Sequence, residues 1–342
     1  MLIRSKAPLR LGFAGGGTDI SSYSDKYGGC VLNATIDMYA YCTIKPNDSG
    51  LIEIRALDIC QEMKTESAMQ LEISEDLILH RGVYNRLVKE FSLPKPLSFS
   101  MATYSDSPAG SGLGTSSTMV VAILQAFAEW LKLPLSEYDV ANLACDIERN
   151  DLKLAGGKQD QYAATFGGFN FIEFKQGGDI IVNPLRIKDW IMNEFESSIV
   201  MYFTGKSRSS ANIISDQIKN FETNNESAIE AMHNVKKEAY TMKEALLKGN
   251  FSQLFKCLQA GWEQKKKTSS VISNAMIERV LETGMANGAA SAKVSGAGGG
   301  GFVMFFCDPL NRISLINALS KLDGTVSNIK FSTRGAEGWT IY

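Results

Sequence analysis

Three clusters of glycine constrain this chain more than any other feature of its sequence. They lie at residues 12–17, 110–114 and 296–301, and long stretches with scattered glycine separate them. Glycine accepts a positive φ and lets the backbone approach a ligand closely, so a cluster beside a helix can present several N–H groups to an anion. We therefore expect anion-binding loops, with a tight turn or a flexible loop as the alternative for any single cluster.

The middle cluster leads into an apolar run with helical periodicity at residues 117–133. The N-terminus of a helix carries about half a positive charge and unpaired N–H groups, which favours a phosphate at this position. The hydroxyls of Thr115, Ser116 and Ser117 are placed to cap the helix or to bind Mg²⁺. The sequence therefore predicts a phosphate-binding loop, with simple helix capping as the alternative.

Two familiar nucleotide-binding motifs do not fit the chain. Gly205, Lys206 and Ser207 resemble the end of a Walker A motif, but Val200 stands where its first glycine is required. The third glycine cluster matches a dinucleotide-binding fingerprint formally. It precedes a strand-like segment at 302–306, however, and too little chain follows for several βαβ units. A dehydrogenase is therefore disfavoured.

Two acidic residues follow the predicted loop at positions that suit phosphoryl transfer. Glu148 ends a helical segment, and Asp160 lies in a polar segment after Gly156 and Gly157. Such a transfer requires a metal held by a carboxylate or hydroxyl, and a carboxylate beside the attacking hydroxyl. Glu148 and Asp160 are candidates for these two roles, although a lone acidic residue is more often a solvated surface residue.

Composition and charge exclude several other classes of protein. Lys and Arg number 35 against 37 Asp and Glu, and the net charge of −2 provides no basic field for nucleic acid. No segment reaches the roughly 18 consecutive apolar residues of a membrane span, and the N-terminus lacks a signal peptide's apolar core, so we expect a cytoplasmic protein. The spacing of the six cysteines and two histidines predicts reduced thiols and no transition-metal site.

The pattern of helices and strands indicates an α+β protein of two domains, which we expect at residues 1–190 and 191–342. Strand-like segments at 30–45 and 51–57 flank a turn cluster and predict a hairpin. Long amphipathic helices characterise the second half. Its last part alternates helices with short strands, including one predicted at 329–333.

Together the three glycine-rich segments resemble the motifs of the GHMP kinases, the superfamily of galactokinase, homoserine kinase, mevalonate kinase and phosphomevalonate kinase. The order and spacing of the motifs match over most of the chain, and here they occupy residues 7–19, 108–117 and 293–301. The resemblance implies an N-terminal β-α domain with a left-handed crossover and a C-terminal ferredoxin-like domain. It also implies an active site between the two domains.

The resemblance assigns roles to individual residues. The second motif would bind the phosphates of ATP through Pro108, Gly110, Ser111, Gly112, Leu113, Gly114, Thr115 and Ser116. Ser116 and Glu148 match the ligands of Mg²⁺, and Asp160 matches the catalytic aspartate, which Arg10 would assist. The third motif would bring Ser295, Gly296 and Ala297 to the site.

The first motif bears on the substrate. Galactokinases carry Glu-His before Thr-Asp, whereas this chain has Gly16 and Gly17 there, which widens the implied sugar pocket. The sugar-binding residues implied for this motif are Gly15, Gly16, Gly17, Thr18 and Asp19. The form of the motif is similar to that of the D-glycero-D-manno-heptose 7-phosphate kinases, which phosphorylate the anomeric hydroxyl, and also to that of fucokinases.

The similarity to the heptose 7-phosphate kinases implies ATP- and Mg-dependent formation of the 1,7-bisphosphate, for nucleotide-activated heptose and surface polysaccharide. A phosphorylated sugar requires a second anion site, for which Lys158, Lys206 and Arg208 are candidates, with a solvated loop as the alternative for the last two. Two other functions stay open: a fucose- or galactose-type kinase of an unphosphorylated sugar, and a regulator that binds sugar and ATP without turnover. The oligomeric state stays open as well.

Overall fold

The computed structural model describes residues 1–205 and 210–342, which form two β-sheets flanked by helices. The helices are α1 (Ser21–Tyr27), α2 (Ile78–Glu90), α3 (Thr115–Leu131), α4 (Glu137–Asp146), α5 (Gln159–Phe166), α6 (Asp189–Ser198), α7 (Ser210–Glu222), α8 (Glu226–Lys248), α9 (Phe251–Lys266), α10 (Ala275–Ala286) and α11 (Arg312–Leu319). The strands are β1 (Leu2–Ala14), β2 (Gly29–Pro46), β3 (Leu51–Ala56), β4 (Gln61–Glu66), β5 (Phe99–Ser105), β6 (Phe169–Phe174), β7 (Ile180–Pro184), β8 (Ile199–Phe203), β9 (Ala289–Val294), β10 (Phe302–Cys307), β11 (Thr325–Ser327) and β12 (Glu337–Ile341). The predicted α+β class is confirmed. None of the described helices is long and apolar enough to cross a membrane.

The larger sheet has eight strands among the described residues and forms most of the first half of the chain. Its main path runs β12-β1-β2-β5-β3-β4, and β6 and β7 extend it from β2. The two long strands, β1 and β2, contain 13 and 18 residues and pair antiparallel. Strands β3 and β5 run parallel, and β4 and α2 provide the crossover connection that a parallel pair requires.

Two local predictions are wrong because distant strands pair in ways that the local pattern does not specify. Strands β2 and β3 do not form a hairpin, since β5 lies between them, antiparallel to β2 and parallel to β3. Residues 329–333 do not form a strand, and the bridge in this segment joins Phe331 to Ile36. The chain does reverse between β2 and β3, but turn residues do not determine which strand lies beside β2.

Helix α3 is the central helix of the first half, and 12 of its 17 residues are buried. It packs on β1 and β2 and is covered by α2, α4 and α5. Phe127 meets Phe99 of β5 edge to face, with 5.4 Å between the ring centroids. A helix buried on several sides cannot shift easily, so it determines where the glycine loop before it lies.

The smaller sheet contains four described strands in the order β11-β8-β10-β9, and every pair is antiparallel. Helices lie between β8 and β9 and again between β10 and β11, which gives the β-α-β-β-α-β order of ferredoxin-like domains. The described residues of the first connection form four helices, α7 to α10. The ferredoxin-like second half is therefore confirmed.

A shared apolar core joins the two halves. Leu9, Leu11 and Phe13 of β1 belong to one buried cluster with Met304 and Phe306 of β10. Strand β12 leaves the second half and pairs with β1 in the larger sheet. The predicted domain division after residue 190 falls within α6 and stays a prediction.

Candidate active site where three glycine-rich segments meet

A cavity of about 300 Å³ lies where the three glycine-rich segments meet. One wall comes from the first and middle segments and from residues 148–160, and the other from α7, α9 and the third segment. The predicted site residues that line it are Arg10, Gly17, Asp19, Gly110, Gly112, Gly114, Thr115, Ser116, Glu148, Asp160, Gly296 and Ala297. The structure thus brings all three motifs and both predicted acidic residues to one place.

The middle segment forms a loop whose glycines adopt a positive φ. Gly110, Gly112 and Gly114 have φ values of 75°, 85° and 79°, a region that favours glycine. Gly114 is the N-cap of α3, and no side chain caps this helix, so its first N–H groups are left for a ligand. Ser116, in the first turn, is exposed toward the cavity. This geometry suits a phosphate group.

The other predicted residues of the loop stabilise its conformation through contacts within the protein. Ser111 and Leu113 are fully buried. The Ser111 hydroxyl lies 3.2 Å from Thr115 Oγ1, and the Leu113 carbonyl accepts a hydrogen bond from the Arg10 N–H at 3.1 Å. The Pro108 carbonyl accepts one from the Ser111 N–H at 3.2 Å. The side chains of Ser111 and Leu113 are therefore turned into the protein, and the predicted binding of ATP phosphates by this loop, through its backbone N–H groups, stays a prediction.

Gly112 joins the three segments through its carbonyl oxygen. That oxygen accepts hydrogen bonds from Arg10 Nη1 at 2.7 Å and from Ser295 Oγ at 2.8 Å. A Cβ atom at Gly112 would lie 2.5 Å from the Ser295 carbonyl oxygen, and one at Gly296 would lie 2.8 Å from Gly112 Cα. Only glycine permits this approach. Ser295 is fully buried with its hydroxyl on the loop, so it helps to position the loop, and its predicted contact with substrate stays a prediction.

Arg10 and Asp160 form an ion pair at the cavity. Arg10 Nε donates to Asp160 Oδ1 at 2.7 Å, and the two side chains are 4% and 23% exposed. Asp160 lies in the first turn of α5, where the partial positive charge of the helix terminus favours a carboxylate. The structure therefore assembles the two residues that the sequence predicts as catalytic, and their catalytic role stays a prediction.

Glu148 is buried in the cavity wall, on a π-helical turn that extends α4. Burial raises the pKa of this carboxyl group. Gln161 Nε2 donates to Glu148 Oε2 and, at 3.1 Å, to Ser117 Oγ. Gln161 and Ser117 lie one residue from the predicted Asp160 and Ser116, and only the folded helices show that they face Glu148.

The described part of the chain contains no group of three or more His, Cys, Asp or Glu residues placed to hold a metal ion. Mg²⁺ in nucleotide sites usually takes one or two protein ligands and completes its shell with phosphate oxygens and water. The buried carboxylate of Glu148 and the exposed hydroxyl of Ser116 both line the cavity next to the loop. These two side chains fit a magnesium ion that arrives with a nucleotide.

Asp19 anchors the N-terminus of α5 in addition to lining the cavity. Its Oδ2 accepts hydrogen bonds from the N–H groups of Lys158 at 2.9 Å and Gln159 at 3.0 Å. Its Oδ1 accepts one from the Gly17 N–H at 2.9 Å. Because Asp160 is the next residue of α5, Asp19 positions the predicted catalytic group. The sequence predicted only a sugar contact for this residue.

Thr18 packs inside the first segment, and its predicted role in sugar binding stays a prediction. It is fully buried, and its hydroxyl lies 2.8 Å from the Gly15 carbonyl oxygen and 2.9 Å from that of Cys30. A Cβ atom at Gly15 would lie 1.9 Å from the same Cys30 oxygen. Thr18 and Gly15 therefore shape the turn of the first segment, and neither lines the described cavity.

The predicted second anion site lies only partly within the described residues. Lys206 and Arg208 fall outside them, so their predicted role stays a prediction. Lys158 contributes its backbone N–H to Asp19, and its ammonium lies 3.4 Å from Asp25 Oδ1. The Lys158 side chain is therefore engaged in an ion pair and does not line the described cavity, and its predicted role stays a prediction.

Four polar side chains at the cavity were not predicted from the sequence, namely Arg149, Gln159, Gln217 and Lys265. Gln217 and Lys265 come from α7 and α9, which contain no recognisable motif. Lys265 begins a run of three lysines, a pattern typical of a solvated helix end, yet its side chain is only 6% exposed. Gln159 directly precedes the predicted Asp160 in the sequence, and this adjacency is the one sequence signal that could have indicated Gln159 as a site residue.

Comparison with known proteins identifies the family to which the chain belongs. Residues 76–168 match the family described as GHMP kinases N terminal domain, and residues 242–323 match GHMP kinases C terminal. The chain belongs to the GHMP kinase family. The predicted two-domain fold of that family is thereby confirmed.

Two relatives are similar over nearly the whole chain. The D-glycero-alpha-D-manno-heptose 7-phosphate kinase of Campylobacter jejuni is 49% identical over 339 residues, 99% of each chain. The crystal structure of a D-glycero-D-manno-heptose 1-phosphate kinase from Bacteroides thetaiotaomicron is 49% identical, with a TM-score of 0.86 over 99% of each chain. A more distant relative is the L-fucokinase/L-fucose-1-P guanylyltransferase of Bacteroides fragilis, 24% identical over 94% of this chain and 36% of its own length.

The anchoring role of Asp19 predicts a large effect on stability. Asp19→Ala leaves three backbone N–H groups without their acceptor, and we expect it to lower the free energy of unfolding by about 2 kcal/mol or more. Asp25→Ala is the control, because Asp25 is half exposed and makes an ion pair with Lys158 at 3.4 Å, so about 0.5 kcal/mol or less is expected. Urea unfolding followed by circular dichroism measures both, and equal effects would contradict the anchoring role.

Proposed function

We propose that this chain is an ATP- and Mg-dependent sugar kinase that phosphorylates the anomeric hydroxyl of D-glycero-D-manno-heptose 7-phosphate to give the 1,7-bisphosphate. The observation that carries the proposal is that the Arg10–Asp160 ion pair and the proposed phosphate-binding loop line the same cavity. The identity of 49% to the Campylobacter jejuni enzyme over 99% of the chain supports the choice of acceptor. The product would supply nucleotide-activated heptose for a surface polysaccharide, and a donor such as ATP implies a cytoplasmic location.

In this proposal Asp160 orients the anomeric hydroxyl and accepts its proton as the oxygen attacks the γ-phosphorus, while the bond from that phosphorus to the β,γ-bridging oxygen breaks and ADP leaves. Its Oδ1 is held by Arg10, which leaves Oδ2 for the hydroxyl. A Cβ atom at Gly114 would lie 3.1 Å from Asp160 Oδ2, so this oxygen lies beside the phosphate-binding loop. The acceptor and the donor phosphate would therefore meet at Asp160.

The charge of the transferred group would be balanced by residues of the same wall. Arg10 and the N-terminus of α3 direct positive charge toward the loop, where the phosphates would lie. Bound Mg²⁺ would neutralise charge on the β- and γ-phosphates, and Ser116 and Glu148 are the residues that would hold it. Asp19 keeps the first turn of α5 in place through its backbone contacts.

A kinase of an unphosphorylated sugar is the second candidate, because the fucokinase of Bacteroides fragilis is also similar to this chain. A regulator that binds without turnover is less well supported. Arg10, Asp160 and Glu148 form a complete set of charged groups at one cavity, and binding alone does not require a catalytic carboxylate.

A substrate panel tests the proposed acceptor. Mg-dependent release of ADP from ATP is measured with D-glycero-D-manno-heptose 7-phosphate, the corresponding 1-phosphate, fucose, galactose and mannose. We expect kcat/KM for the heptose 7-phosphate to exceed the others by roughly a hundredfold or more, because a site built for a phosphate rejects analogues that lack it. A preference for a free sugar would favour the second candidate, and absence of turnover on all of them would favour the regulator.

Replacement of the proposed base tests the mechanism. Asp160→Asn keeps the shape of the side chain but removes the proton acceptor, so we expect kcat to fall by roughly 10²–10⁴ with nucleotide affinity nearly unchanged. Asp48→Asn, on an exposed turn, is the control and should retain full activity. Steady-state kinetics and a nucleotide titration measure the two properties. Near-normal turnover of Asp160→Asn would remove Asp160 from the mechanism.

A glycine substitution tests the phosphate-binding loop. In Gly112→Ala the new Cβ would lie 2.5 Å from the Ser295 carbonyl oxygen at a φ of 85°, so the loop must move. We expect the dissociation constant for ATP to rise roughly tenfold to a hundredfold. Gly177→Ala is the matched control, since Gly177 has a φ of 88° but open space around it. Equal nucleotide affinities of the two variants in calorimetric titrations would refute the assignment.

A further inference from the structure

Lys265 is a buried ammonium group at the end of α9 that the proposed mechanism does not use. Its side chain is 6% exposed, although lysine is among the residues that are rarely buried without a partner. Its Nζ donates to the Gly296 carbonyl oxygen at 2.5 Å, and among the described residues Nζ makes this one hydrogen bond. An ammonium group has three donors. The remaining N–H bonds are therefore free for a ligand in the cavity that Lys265 lines.

The other cations that line the cavity are each held on two sides by the protein. Arg10 donates to Asp160 and to the Gly112 carbonyl oxygen. Arg149 donates to the carbonyl oxygens of Leu154 and Gly157. Lys265, with one hydrogen-bond partner in the part of the chain that the structure describes, is thus the least constrained of the three. A buried charge with incomplete hydrogen bonding is costly unless a ligand completes it.

The position of Lys265 indicates which ligand of the cavity would accept hydrogen bonds from its ammonium group. A Cβ atom at Gly16 would lie 3.8 Å from Lys265 Nζ, so the ammonium faces the first glycine-rich segment. Asp19 and Asp160 are the carboxylates whose charges act on it, and Asp19 acts more strongly. The ammonium therefore lies on the side of the cavity that holds Asp19, where the acceptor would lie next to the Oδ2 atom of Asp160.

We propose that Lys265 is a specificity-determining residue that donates hydrogen bonds to oxygen atoms of the acceptor sugar next to the hydroxyl that is phosphorylated. This inference rests on the proposed function, because it takes a sugar as the ligand of the cavity. Sugar hydroxyl and ring oxygens accept hydrogen bonds readily, and hydrogen bonds from charged donors are stronger than neutral ones. Lys265 would thereby orient the sugar so that its anomeric hydroxyl reaches Asp160.

The test compares two neighbouring lysines. Lys265→Met removes the ammonium but keeps a long flexible side chain, whereas Lys266→Met is the matched control. Lys266 is the next residue of α9 and makes an ion pair with Glu263 at 3.0 Å. Calorimetry measures the affinity for D-glycero-D-manno-heptose 7-phosphate and, separately, for ATP. We expect Lys265→Met to weaken sugar binding roughly tenfold to a hundredfold with little change in ATP affinity, and Lys266→Met to change neither.

The pH dependence provides a second readout that a merely structural role would not give. Burial and the charge of Arg10 lower the pKa of Lys265 to about 8, against the opposing carboxylates of Asp19 and Asp160. Lys293, the other buried ammonium nearby, is held by carbonyl oxygens of the first segment. The wild-type affinity for the sugar should therefore decline as the pH rises above 8 and Lys265 loses its proton.

In Lys265→Arg the guanidinium stays charged to far higher pH. If that variant binds the sugar, its affinity should stay level above pH 8. The stabilities of Lys265→Met and Lys265→Arg are measured separately by urea unfolding. Sugar affinities are then compared only between variants that are folded. Should Lys265→Met prove unstable, the comparison of the wild type with Lys265→Arg across this pH range decides the question.

Two outcomes would overturn the inference. Equal sugar affinity in Lys265→Met and Lys266→Met would exclude a sugar contact. A parallel loss of sugar and ATP affinity in Lys265→Met would instead assign Lys265 to the support of the third segment through Gly296. These outcomes can be distinguished from a failure of the proposed function. That failure would appear as absence of turnover by the wild type on every sugar. Binding of the heptose 7-phosphate is measured without ATP and does not depend on turnover.

Discussion

The carbonyl oxygen of Gly112 holds the site together, because it accepts hydrogen bonds from both Arg10 and Ser295. The two donors are 102 and 183 residues away along the chain, so one acceptor joins the three glycine-rich segments. The same bond fixes Arg10, whose other partner is Asp160. A displacement of the loop would displace the ion pair and the third segment with it. Such a rigid arrangement suits phosphoryl transfer, in which positioning and electrostatic stabilisation provide most of the catalysis.

The charged groups around the cavity are buried or partly buried, and most of them are stabilised by several specific polar partners. Asp19 accepts bonds from three backbone N–H groups, and Glu148 from the amide of Gln161. Arg149 donates to backbone carbonyl oxygens. Burial of a charge is tolerated only with such compensation. Lys265 departs from this pattern with one partner, and the incomplete compensation is what suggests a ligand contact there.

The site could be predicted from the sequence where its signals are local. A glycine loop before an apolar helix indicates a phosphate site because the helix terminus itself supplies the N–H groups, and the resemblance to a known family added Glu148 and Asp160. The sequence could not show that Thr18 and Ser295 turn away from the cavity, since a hydroxyl looks the same whether it meets a ligand or a backbone carbonyl. Asp19 was likewise predicted as a sugar contact, and its role in anchoring α5 appears only when distant backbone groups are brought to it.

The sequence by itself determined the family, the glycine loop at the start of α3 and the charged residues predicted to take part in transfer, because glycine patterns and helix starts act over a few neighbouring residues. Only the tertiary structure decided how these parts are arranged. Strand β5 separates β2 from β3, the second half presents α7 and α9 to the cavity, and Lys265 leaves a lysine-rich helix end to become buried there. These outcomes depend on contacts between segments far apart in the chain, whose energies no local pattern records.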